Sequence, residues 1–552
     1  MLLLTLIVVA LLTLGAMAFF ERMFAEYRAT RSHGRQLQAR HLAESGVEYV
    51  KAVLTQDPQV TLQSGGVYAN PSLFQAVLVT DDPIAAFRAR FTVLAPDLTT
   101  DGYFGGIRYG LENESSRLNL NTVLLADSSG NDGARKILMT LPGMTESIAD
   151  AILDWLDEDD QPRLLGAERE YYSALDPPYV PRNGPVGSVE ELLMVRDVTP
   201  ALLFGADLNR NTAIEASEEP LMAIDNVDNS AGTLNRGWSA YLTLDSAETN
   251  LRPDGQPKID VNKDDLETLH KELNEVLGRD MANFIIAYRQ GGPYDGEEGT
   301  AKPASGITLD FTVPGRQKLN TVLDLIGVRT RIPSKPQAGQ DNQSQGGQNG
   351  GRGGRQSRAQ SGESTQNGNQ SGGQSGGRSG DQNENPNSRI VVEAAFSKDR
   401  GSMDSYLTKL MDNLTVNPAT SIPGRLNINQ APRRLLAGIP GLTGTQVEQI
   451  IANRDVTLGQ LRPEQAHETW LLTDGIVELD RMKKLMALVT AGGNVYRAQV
   501  VGFFDAEGPG DRLEVVVDAT QSPPVVRRRW ELKQLGPGYS REVLGVPLEG
   551  VP

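Results

Sequence analysis

The sequence predicts an α+β protein in which a long N-terminal helix packs on a small antiparallel sheet, with a large helical insert that contains helix-hairpin-helix-like units. Three observations predict this class. An uncharged apolar stretch opens the chain and continues as an amphipathic helix. Short runs that alternate apolar and polar residues follow it and return near the C-terminal end, which is the pattern of strands. Between them, apolar residues recur at three- and four-residue spacing, which predicts helices.

Composition excludes several classes of function. The 552 residues suffice for several domains, and the formal net charge of -17 disfavours binding to nucleic acid or to anionic lipid. The chain has no cysteine, which excludes disulfides, thiolate metal sites and cysteine nucleophiles, and only four histidines. No G-x-S-x-G, H-E-x-x-H or phosphate-binding glycine loop is present. The sequence therefore predicts no catalytic site.

Residues 1–20 are uncharged and apolar, and about 20 such residues span the hydrocarbon core of a bilayer as a helix. A cleaved signal sequence would need a basic region before the apolar stretch, so we predict a transmembrane anchor. Five arginines follow this stretch, at Arg22, Arg28, Arg31, Arg35 and Arg40. The positive-inside rule would place them in the cytoplasm. We therefore expect either a special insertion route or a basic leader upstream of Met1.

The remaining elements are predicted in order along the chain. Residues 21–55 are predicted to form an amphipathic stem helix that presents Leu42, Val47, Val50 and Leu54 on one face. The later segments are the first strands of the sheet (56–116), the helical insert (117–333), a disordered Gln/Gly/Ser-rich linker (334–388), a further helical part (389–490) and C-terminal antiparallel strands (491–552).

A repeated phrase predicts internal duplication of a strand-to-helix unit. It reads RLNLN at Arg117, KIDVN at Lys258, KLNTV at Lys318 and RLNIN at Arg425.

A second repeat, LPGMTESIADAIL and IPGLTGTQVEQII, has the pattern of a helix-hairpin-helix unit. In DNA-binding versions, the hairpin offers backbone N–H groups to a phosphate. The acidic run after Gly143 disfavours DNA at the first copy, whereas Arg433, Arg434 and Arg454 near Gly441 leave the question open at the second.

The densest group of carboxylates lies at the end of a predicted helix and in the turn after it. The candidate metal ligands are Asp154, Asp157, Asp159, Asp160 and Glu168. Oxygen ligands at short spacing suit Ca²⁺, which accepts irregular loops more readily than Mg²⁺ does. The alternative is a solvated acidic helix end, although the helix dipole opposes negative charge there.

A second candidate metal loop follows. Asp207, Asn209, Asn211, Glu215 and Glu218 occupy positions 1, 3, 5, 9 and 12 of an EF-hand-like loop. Thr212 stands where such a loop needs glycine, and an Asn-rich turn is the alternative. Three residues further along could complete either arrangement, namely Asp225, Asp228 and Asn229.

Several phrases together resemble one known family. They are LAESGVEYV, RYGLENESSRLNLN, ILDWLDEDDQPRLLGAEREYY, PPYVPRNGPVGSVEELLMV and the terminal YRAQVVGFF. The chain resembles the minor pseudopilin K of the type II secretion system, also called general secretion pathway protein K. The resemblance covers nearly all of the chain except the linker. It implies a pilin-like fold and a non-enzymatic subunit at the tip of the pseudopilus, which serves protein export across the outer membrane.

The resemblance also implies location and partners. It implies an inner-membrane anchor, a body in the periplasm, a leader cleaved by prepilin peptidase, and calcium in the insert. The implied partners are the minor pseudopilins I and J and the major pseudopilin, with secreted proteins as a further class, while the acidic net charge disfavours nucleic acid. Other pseudopilins carry an acidic residue near the start of the helix, whereas members of this family lack it. This chain also has no acidic residue in positions 1–20. The chain departs from the family in its missing leader, its linker and its enlarged helical part.

Two other functions remain open from the residues alone. A membrane-anchored helix-hairpin-helix DNA receptor of the competence type would need a basic face and a steep salt dependence. An envelope hydrolase that uses Asp154 and Glu168 would lose turnover in the variant Asp154→Asn.

Overall fold

The computed structural model describes residues 2–129, 132–212, 214–218, 236–296, 300–332, 390–456 and 463–546. The predicted linker (334–388) and Asp225, Asp228 and Asn229 lie outside these residues. The chain divides into two compact units, the first formed by residues 1–261, 320–324 and 397–552 and the second by residues 262–319 and 325–396.

The first unit is built on one long helix, α1 (Leu2–Thr55), and an antiparallel sheet. The main strands are β1 (Val77–Thr80), β2 (Ala89–Leu98), β3 (Phe104–Tyr109), β4 (Glu112–Asn113), β16 (Val495–Phe504), β17 (Asp511–Asp518) and β18 (Val525–Glu531). Their order is β1-β2-β16-β17-β18, with β3 paired to β2 and β4 paired to β16. The predicted fold class is therefore confirmed, including the meander of three strands at the C-terminal end.

Only the C-terminal part of α1 is buried. Leu42, Val47 and Val50 are buried against the sheet as the apolar pattern predicts, and Leu54 is partly buried there. The apolar cluster that contains Val47 and Val50 also includes Phe91 of β2 and Val500 of β16. The N-terminal part of α1 is exposed and contains the one stretch, within the described residues, that is long and apolar enough to cross a membrane.

Glycine permits the close packing of α1 on the sheet. A Cβ atom at Gly46 would overlap Val500 Cγ1 and the ring of Phe91, whereas a Cβ at Gly34 would have nothing within 4 Å. Both residues lie inside α1, so alanine raises the helix propensity by about 1 kcal/mol at either position.

The variants Gly46→Ala and Gly34→Ala should therefore change stability in opposite directions. We expect Gly46→Ala to lower the free energy of unfolding by about 1–3 kcal/mol because it overpacks the core. Gly34→Ala should leave it unchanged or raise it by up to about 1 kcal/mol. Denaturant unfolding of both variants measures the difference, and equal effects would show that the helix does not pack this closely.

The remaining α-helices are short, and all but the first two lie between β4 and β16 in sequence. Those of the first unit are α2 (Pro58–Gln63), α3 (Pro71–Phe74), α4 (Gly133–Leu138), α5 (Glu146–Leu156), α6 (Arg169–Ser173), α7 (Pro200–Phe204), α10 (Arg400–Met403), α11 (Leu407–Asn413), α12 (Arg433–Gly438), α13 (Gly444–Asn453), α14 (Trp470–Thr473) and α15 (Leu479–Leu485). The second unit contains α8 (Leu266–Leu277), α9 (Arg279–Gly291), and the strands β9 (Thr300–Lys302), β10 (Thr330–Arg331) and β11 (Ile390–Val392).

Two segments with helical spacing of apolar residues form elements that this spacing alone does not specify. Residues 264–290 contain two helices, α8 and α9, separated at Gly278, whose φ of +87° is a conformation that favours glycine. Within GSVEELLMV, residues Val189–Met194 form a 3-10 helix.

Three of the four repeated phrases share local structure, whereas the one at Lys318 forms no strand. The phrases at Arg117, Lys258 and Arg425 each place a two-residue strand in a parallel pair. The strands are β5 (Leu118–Asn119) with β6 (Leu242–Thr243), β8 (Ile259–Asp260) with β12 (Leu414–Thr415), and β14 (Leu426–Asn427) with β15 (Val489–Thr490). Two strands outside these pairs, β7 (Ala247–Thr249) and β13 (Ser421–Pro423), are antiparallel. This common geometry supports the predicted duplication.

The two helix-turn-helix segments, α4–α5 and α12–α13, lie about 300 residues apart in sequence and pack against each other. The Arg434 guanidinium donates to the carbonyl of Thr140, and a Cβ at Gly438 would lie 3.0 Å from Ile137 Cα. The two hairpins are thus parts of one helical body within the first unit.

Candidate functional site

The first candidate site forms at the end of α5. Thr145 caps the N-terminus of this helix, where its hydroxyl accepts the N–H of Ile148. The helix buries Trp155, which packs edge-on against Tyr172 of α6. Between the two helices, residues 157–168 form a loop that carries most of the predicted acidic ligands. The two packed helices therefore fix both ends of the acidic loop.

The structure brings three of the five predicted residues together. Carboxylate oxygens of Asp157, Asp159 and Glu168 all lie within 4.8 Å of one another. This is the one group of three or more potential metal ligands of these types within the described part of the chain. We call it the acidic cluster.

The other two predicted residues have different partners. Asp154 is fully buried and accepts hydrogen bonds from the backbone N–H and the guanidinium of Arg163. Asp160 accepts a bond of 3.0 Å from the side-chain amide of Asn183 and lies 3.5 Å from Arg169. Arg163 also bonds Asp157, so it supports the loop from the side of Asp154. These contacts hold the loop in place without using the oxygens of Glu168.

Several oxygen atoms at the acidic cluster have no hydrogen-bond donor. They are Glu168 Oε1 and Oε2, Asp157 Oδ1 and Asn183 Oδ1, all of them buried. A buried polar atom without a partner is rare because it costs about 1–3 kcal/mol, and more when it is charged. Burial, together with the charges of Asp154 and Asp157, raises the pKa of Glu168 to about 7. An oxygen-rich pocket of this kind suits a cation such as Ca²⁺.

Asn183 is a residue that the sequence analysis missed. It comes from a turn 15 positions beyond Glu168 and has a φ of +47°. Its amide nitrogen donates to the carbonyl of Asp159, at 2.6 Å, and to Asp160, while its oxygen remains without a donor. The Asn-Gly pair at this position is a turn signal that could have drawn attention to it.

The second candidate loop is closed by its own hydrogen bonds. Asp207 accepts the backbone N–H groups of Asn211 and Thr212, and Glu218 accepts those of Leu208 and Asn209. Asn209 Oδ1 accepts the N–H of Asn211, and the Asn211 amide donates to Glu215. Thr212 has a φ of +67°, the left-handed geometry for which glycine is preferred. The carboxylates of this loop thus lie in a hydrogen-bonded turn. Their oxygens do not form a group of three that lie close together, as the oxygens of the acidic cluster do.

The arginines near the second hairpin have partners within the protein. Arg433 pairs with Glu448 and bonds the carbonyl of Asp101. Arg454 is 8% exposed and donates to the carbonyls of Ile428 and Ala431. Arg434 bonds Thr140. These side chains therefore do not form an open basic face.

Comparison with known proteins identifies a family for part of the chain. Residues 116–205, which contain the acidic cluster, match the family model described as "Type II secretion system (T2SS), protein K". A type II secretion system protein K from Klebsiella pneumoniae is 26% identical over 219 residues, and the alignment covers 36% of this chain. The chain spans 58% of the length of that relative.

A solved structure is also similar. It is described as the crystal structure of the GspK-GspI-GspJ complex from the enterotoxigenic Escherichia coli Type 2 Secretion System. The alignment covers 91% of this chain and 98% of that one, with 9% identity and a TM-score of 0.33.

Proposed function

We propose that this chain, whose residues 116–205 belong to the type II secretion system protein K family, is a minor pseudopilin and a structural subunit rather than an enzyme. One structural observation carries the proposal beyond the matched residues. A single helix, Leu2–Thr55, begins with an apolar stretch of transmembrane character and ends buried against an antiparallel sheet. Such a helix can anchor the folded body in a membrane and place it among similar helices.

The proposed location is the inner membrane, with the body of the chain in the periplasm. The proposed partners are the minor pseudopilins I and J, with which the chain would form the tip, and the major pseudopilin below it. Residues 1–20 contain no acidic residue, which supports a tip position because this apolar stretch has no carboxylate to pair with a subunit above. Secreted proteins are a further class of proposed partner.

We also propose that the acidic cluster holds Ca²⁺ as a structural ion. The residues fit this ion because three carboxylates converge, Asn183 contacts the same loop, and four oxygens of these residues lack donors. Asp157, Asp159, Glu168 and Asn183 would bind it, while Arg163 supports the loop. The ion would supply charge balance to Glu168 and fix the loop between α5 and α6, and no chemical step is assigned to it.

The alternative function as a DNA receptor has less support. The hairpin of the first helix-hairpin-helix-like unit precedes the acidic run, and the arginines of the second unit bond carbonyl or carboxylate groups within the protein. A receptor would need these charges free for phosphates. We expect no salt-dependent binding of duplex DNA by the full chain at 50 mM salt, as measured by fluorescence anisotropy. Tight binding that weakens steeply with salt would favour the receptor instead.

A secretion assay tests the proposed function. We expect deletion of the gene in its own host to abolish the release of type II substrates into the medium, with the substrates retained in the periplasm. The full chain should restore release, and so should the variant Asp154→Asn if it folds, since no turnover is involved. Normal secretion in the deletion strain would contradict the proposal.

A further inference from the structure

A chemically reactive dipeptide lies beside the acidic cluster. The chain has three Asn-Gly pairs, which begin at Asn183, Asn349 and Asn367, and the first of them lies within the described residues. Asparagine before glycine loses its side-chain amide spontaneously in water, because glycine has no Cβ to hinder the ring closure that starts the reaction. The pair at Asn183 is therefore a candidate site of deamidation.

The structure holds both groups that must react. The side-chain nitrogen of Asn183 donates to the carbonyl of Asp159 at 2.6 Å and to the carboxylate of Asp160 at 3.0 Å. The backbone N–H of Gly184 is buried and donates to the carbonyl of Trp155 at 3.3 Å. In the closed acidic loop, the leaving group and the attacking nitrogen are thus both engaged in hydrogen bonds.

Deamidation requires these contacts to break. The backbone nitrogen of Gly184 must lose its proton to water and attack Cγ of Asn183, which forms a cyclic imide and releases the amide nitrogen as ammonia. Water then opens the imide at either carbonyl and gives aspartate or isoaspartate, so water is the one reactant consumed. The negative charges of the acidic loop also oppose the loss of a proton nearby. The reaction therefore proceeds from a locally opened loop.

We propose that Asn183 is a site of spontaneous deamidation that the closed acidic loop protects, so that the modification marks chains in which this loop has opened. When opening and closing are fast relative to the reaction, the rate equals that of an unstructured peptide multiplied by the open fraction. Calcium bound to the closed loop would lower the open fraction, and this part alone rests on the proposed structural ion.

The product of the reaction favours the open loop. An aspartate at position 183 lacks the amide N–H groups that hold Asp159 and Asp160, and it adds a negative charge beside them. Isoaspartate also lengthens the backbone at this turn. Deamidation therefore converts a transient opening of the metal-free loop into a permanent loss of its stability.

The experiment follows the full chain in lipid nanodiscs at pH 8 with a calcium chelator. A synthetic peptide of residues 178–189 is the unstructured reference. Trypsin cleaves after Arg182, so the fragment 183–196 reports deamidation by its gain in mass. The other two Asn-Gly pairs, in the same digest, show that the conditions allow the reaction. We expect Asn183 to react at least about tenfold more slowly in the chain than in the peptide.

Two variants and one control test the role of the closed loop. Asp160→Ala removes an acceptor of the Asn183 amide and should raise the rate about tenfold, because a hydrogen bond to a charged group is lost. Glu158→Ala changes an exposed neighbour outside the acidic cluster and should leave the rate unchanged. Gly184→Ala should slow the reaction severalfold in peptide and chain alike. The structure has room for this methyl group, whose nearest listed neighbour would be the carbonyl oxygen of Arg182 at 4.0 Å.

Calcium tests the protection without a substitution. Free calcium at one hundred times Kd should slow the reaction of Asn183 by up to about one hundredfold. A rate that calcium leaves unchanged, with the other results as expected, would contradict the calcium site alone. Tryptophan emission establishes that each variant is folded. Equal rates in chain and peptide would overturn the proposal, and so would an unmodified Asn183 in folded Asp160→Ala while the other two pairs react.

Discussion

Replacing Arg497 by methionine is expected to lower the free energy of unfolding by about 3–5 kcal/mol. Arg497 of β16 donates to two carboxylates, Glu114 and Glu514, at 2.5 and 2.7 Å. The side chain of Glu114 is fully buried and that of Glu514 is 13% exposed. Without the guanidinium, two negative charges remain at a site from which water is largely excluded, and this cost exceeds the net contribution of the ion pairs themselves.

The pKa of Glu114 gives the sign of the pH dependence. Burial alone would raise this pKa, but Arg497 and Arg117 hold it below its ordinary value. An acid whose pKa is lowered in the folded state adds stability above the unfolded pKa, near 4.5, and this stability is lost as the pH falls through the folded pKa. In Arg497→Met we expect part of this acid sensitivity to disappear.

Denaturant unfolding in nanodiscs measures the effect of Arg497→Met. The guanidinium carbon lies 5.1 Å from the ring centre of Trp530, so emission of this tryptophan responds to the region that changes. The matched control is Arg529→Met. Arg529 pairs with Glu44, and their side chains are 37% and 33% exposed, respectively. A pair this exposed contributes at most about 1 kcal/mol. Equal losses in the two variants would contradict the assignment of a buried network.

Calcium is expected to raise the free energy of unfolding by about 2.7 kcal/mol at a free concentration one hundred times Kd. The ion would satisfy the unpartnered oxygens of Glu168 and Asp157 at the acidic cluster. Glu168→Gln should remove this response. It should also stabilise the metal-free protein at pH 8, because it replaces a buried charge that lacks a partner by a neutral amide.

The effect of calcium should depend on pH in a defined direction. Burial, with the charges of Asp154 and Asp157, raises the pKa of Glu168 to about 7 in the metal-free protein. Protonated Glu168 therefore adds stability that is fully present below the unfolded pKa, near 4.5, and is lost as the pH rises through about 7. Calcium competes with this proton, so the calcium-induced rise in melting temperature should be larger at pH 8 than at pH 6.

Thermal melts with calcium or with a chelator, at both pH values, measure these effects. Glu170→Gln is the control, since Glu170 is an exposed neighbour on α6 outside the acidic cluster. It should leave the calcium response unchanged. The same calcium response in Glu168→Gln as in the unaltered chain would rule out a site at the acidic cluster.

Local pattern was sufficient to predict the principal elements of the fold. The apolar face of α1 corresponds to burial in the structure, and the last three predicted strands form β16, β17 and β18. Exposure alternates only along β18, because β16 and β17 are buried along nearly their whole length. Pairing between distant strands was not predictable, because nothing local shows that β2 lies beside β16. The same holds for Glu114 and Arg497, which are 383 positions apart.

The candidate site was only partly predictable, because some of its contacts also join residues that are distant in the sequence. Asp157 and Asp159 lie in one acidic run, and Glu168 follows soon after it, so sequence proximity indicated them. The run could not show that Asp154 would turn inward to Arg163, since this depends on the fold of the loop. Asn183 reaches the cluster only because the later turn folds back onto Asp159. Proximity in sequence therefore found the ligands of one loop and missed the contribution of another.

The most direct test of the account is co-purification of the full chain with the minor pseudopilins I and J of the same host. The three proteins would be co-expressed with a tag on the present chain alone and extracted in a mild detergent. We expect both partners to be recovered in equal amounts with the tagged chain, and we expect the major pseudopilin, when it is expressed in place of I and J, not to replace them as a co-purified partner. Recovery of the tagged chain alone, with I and J still bound to each other, would contradict its assignment as a tip subunit.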